Sequence, residues 1–536
     1  MTSTIEEKIK GIVEREQKQS TSSQYSCFER LHDIRLLLFP HVTQDGVHNV
    51  FKVQQQITEA IKSADGLARE DIYSYEPNGS NFAGHITHLF REKISKGQYH
   101  PPKVIRTLED FFGSWLYHLF MAQDGQIMIE NPRVFQHYKD TIGSQDTLAV
   151  GGNAGNMAVH LSRIYANGEQ DGPQFLLGVI PEIFDNGFVR MFPDYNGLRA
   201  LDEIGRAVKI RSLGYDGVPP VYHIVSQFSK GDFSILDGDV SFRISRAGRF
   251  IPTWNQVTPN WKFDAKKQEQ FERAIDEYQI SGVIVAGFQT FRPDNAESVE
   301  AVGRWFGYVR QRHPRVNTQF EFTDIRQNNI FDAVLSRVVP YADIVGANRT
   351  ELADILAHSI DDNVRQRYIE HAERNYLVAT ITALAELVKA CAIPKGIFCV
   401  HDPEVSVALV KLGEYRPEEV QEAMQFASQL CTNRVYIPNE EYIEMGFANF
   451  VAGYQIPISQ RGAEIIARSN EDGRLSDLVM GGADRIIEEG RGLGKGHLLG
   501  YSVVVITGRE MPGTAVVNPV GSGDLYAAIL AQLKKR

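Results

Sequence analysis

From about residue 280 the chain alternates between short runs of β-branched and aromatic residues and longer stretches whose apolar residues return every three or four positions, and few folds accept that pattern. The short runs ISGVIVAGF (280–288), TQFEFTDI (318–325), ADIVGA (342–347), GIFCVH (396–401), RVYIP (434–438) and YSVVVIT (501–507) read as strands. Between them NIFDAVLSRVV and RQRYIEHAERNYLVATITALAELVKAC carry the helical period. Helices laid on a mostly parallel sheet are the expected result, an α/β fold. The stretch from about 215 to 260 reads differently. There VYHIVSQF, DFSILDG and SFRISRAGRFI alternate and are broken by KGD and DGD turns, the chemistry of antiparallel hairpins. A small hairpin-built piece on a large α/β body predicts a lid over a cleft at the carboxyl ends of the strands.

The chain has 536 residues, 43% of them hydrophobic and 23% charged, enough for a large core. Its formal net charge is -11 and no Lys/Arg block interrupts it, so nucleic acid is not an expected partner. Anionic substrates must be held locally, by a few cations and by backbone N–H groups at helix starts. Cys27, Cys391, Cys399 and Cys431 are scattered without metal-site spacing, and Cys399 reads as a core thiol. Residues 1–25 are polar and read as a flexible segment with no signal or membrane anchor. A cytoplasmic protein, monomeric or dimeric and without membrane contact, is the expectation.

Three Gly-bearing or capped junctions carry the chemistry. In Asn518-Pro-Val-Gly-Ser-Gly-Asp524 a Gly-rich turn opens a helix, and the N–H groups of Gly521, Ser522 and Gly523 with the helix start make a cradle for developing negative charge. Asp524 at that start is a candidate general base for an attacking hydroxyl; a plain Asp N-cap is the competing reading. In Asp343-Ile-Val-Gly-Ala-Asn348-Arg-Thr-Glu351, Asn348 and Glu351 share the first helical turn, where they could order magnesium through its waters or merely form a capping box. The third junction, Gly151-Gly152-Asn153-Ala-Gly-Asn, lacks dinucleotide-fold spacing and suits an amide presented to a substrate. By contrast Gly490 to Gly496 fails the phosphate-loop spacing and reads as a loop, and His313, His358 and His497 have no ligand spacing.

Taken together these strings resemble the ribokinase superfamily, and in detail its ADP-dependent glucokinase and phosphofructokinase branch, over roughly residues 35 to 530. The resemblance implies a ribokinase-like α/β kinase domain over 26–536, its mostly parallel sheet covered by helices on both faces, with a small β-rich lid drawn from about 45–60, 110–150 and 215–260. It implies Asp524 as base with Gly521, Ser522 and Gly523 around the transferring phosphoryl group. Asn348, Glu351 and Glu321 would serve Mg2+. Asp45 in FPHVTQDGV, Gly152 and Asn153 in GGNAGNMA, and His223 and Gln227 in HIVSQFSKG would face the sugar. Asn348, Arg249 in GRFI and His401 would lie near the nucleotide, ADP or ATP.

The chain departs from the pattern in four places. Gln319 stands where the family's His-x-Glu has histidine, Gln227 replaces a lid glutamate, Lys230 an arginine and Gly248 an asparagine. The carboxylate that marks glucose users should fall in GQIMIENP, where Glu130 is the acid nearby; with Glu130 out of reach, Met128 or Ile129 would line that spot and a different or phosphorylated sugar would be expected. The expected activity is transfer of a nucleotide's terminal phosphoryl group to a sugar hydroxyl, of glucose or a related hexose. The alternatives are a fructose 6-phosphate kinase, a nucleoside or vitamin kinase on the same scaffold, or a catalytically idle sugar- or nucleotide-binding relative.

Overall fold

The computed structural model describes residues 7, 10–11, 13–14, 31, 33–74, 81–164, 173–179, 183–214, 221–390, 392–436, 457–469, 485–486, 501–509 and 522–535. Cys27, Cys391, His497, the Gly490 to Gly496 loop and most of residues 1–25 lie outside them. Among the described residues eleven strands form one sheet in the order Arg485–Ile486, Tyr501–Thr507, Val405–Lys411, Ile397–Val400, Ile344–Ala347, Asn317–Glu321, Gly282–Ala286, Arg35–Pro40, Gln174–Leu177, Leu198–Leu201 and Ala207–Lys209. Every neighbouring pair from Ile397–Val400 across to Leu198–Leu201 is parallel, and antiparallel strands close both edges.

A sheet covered on both faces must be apolar on both, which is why these strands read as continuous hydrophobic runs. Alternate residues divide between two cores. Leu37, Phe39, Val283, Val285, Phe320 and Val345 pack on one side. Leu36, Leu38, Ile284, Ala286, Ile344 and Cys399 pack on the other. Cys399 is thus a core residue, and burial pushes its thiol far above the ordinary range.

One expected strand needs correction. Arg434 to Tyr436 of RVYIP end the helix Pro417–Tyr436 instead of starting a strand; Ile437 and Pro438 lie outside the described residues. The strand that pairs with Ile397–Val400 is Val405–Lys411, which follows it closely and runs antiparallel. A four-residue connection permits only that direction, since a parallel return needs a long crossover.

The second sheet has six strands, in the order Val104–Ile105, Gly125–Ile129, Gly248–Trp254, Tyr222–Phe228, Thr43–Asn49 and Thr147–Gly151. Its core is separate. Tyr222, Ile224, Phe228, Phe250, Ile127 and Ile129 join residues of the helices Gln54–Ser63, Phe82–Leu89, Leu108–Phe120 and Pro132–Thr141. This unit extends well beyond the three segments named from the sequence, because those helices need an apolar sheet face to cover. The chain leaves the large sheet at Pro40 and enters the small one at Thr43, returns through Gly151 into the helix Asn153–Ile164, and returns again after Trp254. The Gly231–Ile235 and Val240–Ile244 hairpin forms its own two-stranded ribbon.

Candidate active site

The candidate side chains gather where the chain crosses between the two sheets. Asp524 lies in the first turn of the helix Ser522–Leu530. The Asn153 side chain donates from Nδ2 to its Oδ1 at 2.7 Å, and that of Asn156 donates to its Oδ2 at 3.1 Å. The two amides are three residues apart on one helix, so both face the same way. Gly152, just before this helix, has φ of 72°, and a Cβ there would sit 2.7 Å from the His41 carbonyl oxygen; glycine is required on both counts. Gly521 lies outside the described residues, Ser522 contributes helical backbone, and Gly523 packs against His401, whose Cε1 would be 3.1 Å from an added Cβ.

On the small sheet Asp45, His223 and Thr253 stand in register on three adjacent strands. The Thr43 hydroxyl donates to Asp45 Oδ1 at 2.7 Å, and His223 Nδ1 lies 3.4 Å from the same oxygen. A Cβ on Gly151 would fall 1.9 Å from that oxygen, so the carboxylate occupies space that only glycine leaves open. Strand alternation puts Gln227 and Arg249, which pair with each other, on the same face as His223 and Asp45. His41, in the two-residue link between the sheets, is buried with its ring 5.1 Å from that of His223.

Across the cleft Asn348 and Glu351 form a capping box at the start of the helix Arg349–Ser359. Asn348 Oδ1 accepts from the N–H groups of Thr350 and Glu351, and Glu351 Oε2 accepts from the Asn348 N–H at 2.8 Å. The Asn348 oxygen is thereby committed, and Oε1 of Glu351 is the atom the box leaves over. Glu321, at the end of its strand, holds Oε1 at 2.6 Å from His401 Nε2, while its buried Oε2 has no hydrogen-bond partner among the described residues. Gly346 on the next strand makes room, since a Cβ there would meet Glu321 Oε2 at 1.9 Å. Gln319 is not in the cleft: it is buried and donates from Nε2 to the Ala527 carbonyl of the last helix at 2.9 Å.

The acids feel one another. Asp45 is pushed up to about 7 by burial, with Thr43 and Arg249 opposing and Asp524 adding. Glu321 is raised by burial and by Asp524 against His401. Glu351 is pushed up to about 8 by burial, with the Asn348 N–H opposing and Glu321 adding. Burial disfavours charge on His401, yet Glu321, Glu351 and Asp524 outweigh it and raise the ring. Burial lowers His223 well below its ordinary value, helped by Arg249, so it is a neutral ring. Four acids from four elements therefore share one field, an arrangement that calls for a cation or a bound phosphate's partners. Among the described residues no three His, Cys, Asp or Glu side chains converge into a direct metal cage. The donors fit a hard ion that keeps most of its waters, with the unpartnered oxygen of Glu321 as the natural contact.

His41, Thr43 and Asn156 were not singled out from the sequence. Asn156 had a signal, its spacing of three from Asn153 on one helix; His41 had none, because its importance comes from the crossing. The surface histidines are as expected, His313 beside Asp276 and His358 beside Asp332. Glu130 is exposed and paired with Arg106 at 3.1 Å. Ile129 points into the small sheet's core, and Met128 stands in register with Thr253.

Residues 80–478 match the family model described as the ADP-specific phosphofructokinase/glucokinase conserved region. An ADP-specific phosphofructokinase of Pyrococcus furiosus is 23% identical over 273 residues, which span 50% of this chain and 58% of that relative's length. A solved ADP-dependent kinase in complex with fructose 6-phosphate and ADPβS shares the fold with a TM-score of 0.70 at 14% identity, covering 96% of this chain and 97% of that one. A hypothetical ADP-dependent phosphofructokinase from Pyrococcus horikoshii OT3 gives a TM-score of 0.65 at 16% identity, covering 94% and 98%. No helix among the described residues is long and apolar enough to cross a membrane. With a family model matched over residues 80–478, most of its length, the chain belongs to the ADP-specific phosphofructokinase/glucokinase family.

Proposed function

We propose that the protein transfers the terminal phosphoryl group of ADP to a hydroxyl of a phosphorylated sugar, of which fructose 6-phosphate is the best candidate. The observation that carries this reading is the Asp524 carboxylate, held by two amides at a helix start and coupled to Asp45 on one side and Glu321 on the other. Asp524 takes the proton of the attacking hydroxyl, and the N-terminus of its helix stabilises charge on the transferring group. Asp45, Asn153 and His223, with Gly152 shaping the turn, orient the sugar; Gln227 lies farther along the same face. Arg249 and His401 supply positive charge on the nucleotide side. Magnesium, carried through its waters by Glu321 and by Glu351, whose turn Asn348 fixes, would supply charge neutralisation on the phosphates.

The choice of acceptor rests on two supports. The relatives named above are phosphofructokinases or hold fructose 6-phosphate. Glu130, the acid that would mark a glucose user, is engaged by Arg106 at the surface, and Met128 takes the place beside Thr253. Glucose thus gives way to the phosphorylated hexose.

The test is a matrix of ADP and ATP against fructose 6-phosphate and glucose, read as AMP or ADP release, on wild type and Asp524→Asn. The expected result is AMP release with fructose 6-phosphate, reduced in the variant by roughly three orders of magnitude, the scale of a lost positioned base. Preference for ATP, preference for glucose, or near-normal turnover of Asp524→Asn would each defeat the corresponding part.

A further inference from the structure

We infer that His41 is a positioning residue that locks the Asn153 side-chain amide with its nitrogen toward Asp524, a role that rests on reading Asp524 as the base. The argument follows the protons. An ionised Asp524 only accepts hydrogen bonds, so the Asn153 atom at 2.7 Å from it must be the NH2 group. The amide oxygen then faces the other way, toward His41 Nδ1 at 3.1 Å, and an oxygen there requires the ring to carry its proton on Nδ1. Gln289 is the other donor near that oxygen, at 3.5 Å, and its own oxygen is taken by Thr323 at 2.7 Å. His41 therefore makes the bond that distinguishes the two orientations of the amide. A flipped Asn153 would set its carbonyl against the carboxylate and leave His41 Nδ1 buried beside an NH2 group.

The packing holds His41 in place for this hydrogen bond. The residue is 1% exposed, and Nε2 has no hydrogen-bond partner among the described residues. Its carbonyl accepts from the Ala154 N–H at 3.0 Å, tying it to the turn that carries Asn153. Gly287, at φ of 100°, leaves the space the ring needs, since a Cβ there would lie 2.1 Å from His41 Cβ. Burial pushes the imidazole down to about 4 against the bond to Asn153, so the ring is neutral near pH 7 and has one proton to place.

Two readouts test this on the full chain. In spectra of protein labelled with 15N-histidine, the His41 signal, identified by its loss in His41→Asn, is expected in the Nδ1–H form and should leave that form in Asn153→Ala. An Nε2–H form in the wild type overturns the proposal whether or not the protein turns over. In kinetics, His41→Phe is expected to lower kcat roughly ten-fold or more while KM for the nucleotide stays within about two-fold. His41→Asn, which puts an N–H donor near the Nδ1 position, should restore most of the loss, and His41→Phe should cost nothing further on top of Asn153→Ala. A variant His41→Asn as slow as His41→Phe, or additive losses with Asn153→Ala, would overturn the role. Near-normal turnover of Asp524→Asn would remove the base assignment instead, and the tautomer would still decide the His41 to Asn153 bond.

Discussion

At the scale of single residues the cleft is made by what is missing as much as by what is present. Gly151 and Gly346 each leave a space that an acid fills, Asp45 in one case and Glu321 in the other. Gly151→Ala should displace the Asp45 carboxylate and raise KM for the sugar roughly ten-fold or more, with KM for the nucleotide little changed; equal effects on both would show that the substitution had disturbed the whole cleft. Asp45 also predicts a pH dependence. Its carboxyl rises on folding from the ordinary 3.8 to about 7, because burial penalises the charged form, so its contribution to stability is complete below about pH 4 and is lost as pH rises through about 7. The melting temperature of the ligand-free wild type should accordingly fall relative to Asp45→Asn between about pH 5 and pH 8, since the other buried acids are common to both; a constant difference would mean that Asp45 is ionised throughout. Placement at a helix start was legible where a motif carried it, as at Asp524, Asn348 and Glu351. His41 was not, because nothing local in Pro-His-Val marks a side chain whose partner lies 112 positions away.

Among elements, the last helix shows how a strand can aim a functional group. Asn317, Gln319 and Glu321 project from one face of a single strand toward that helix. Asn317 Nδ2 donates to the carbonyls of Ala531 and Leu533, and Gln319 Nε2 donates to that of Ala527, so two side chains satisfy carbonyls that the end of a helix leaves open. Glu321 reaches the other end through His401, against Gly523. The loss of a histidine at position 319 therefore removes nothing from the cleft of this chain; the glutamine braces the helix. Gln319→Leu should lower stability by about 1 to 3 kcal/mol, the cost of a buried carbonyl left without its donor, and should lower kcat as the helix start loosens. Unchanged melting temperature and kcat would show that the brace is dispensable. The strands were readable as apolar runs, and the misreading of RVYIP has a simple cause: a β-branched, aromatic triplet extends a helix when the preceding turns are already formed, and propensity yields to context. The strand Val405–Lys411 does not stand out in the sequence because no helical stretch separates it from Ile397–Val400, and the edge of this sheet turns back on itself.

For the whole molecule, the sequence showed an α/β body and a hairpin region but not the size of the second unit, whose six strands come from segments about 100 and 200 residues apart and whose helices read like any others. The arrangement has a mechanical consequence. Asp45, His223 and Arg249 ride on the small sheet, while Glu321, Asn348, Glu351, His401 and Asp524 ride on the large one. Separate cores make each unit rigid, and the link His41-Val42, the turn at Gly152 and the segment after Trp254 are short connections between them. The proposed substrate contacts thus come from both bodies, so approach of the bodies is the expected response to binding both substrates. Solution X-ray scattering should show the radius of gyration of the full chain falling when an ADP analogue with a non-transferable phosphate and fructose 6-phosphate are added together, with each alone producing less. A radius unchanged by the pair, under conditions where calorimetry shows both bound, would mean that the cleft is already closed and that water is excluded by the substrates alone.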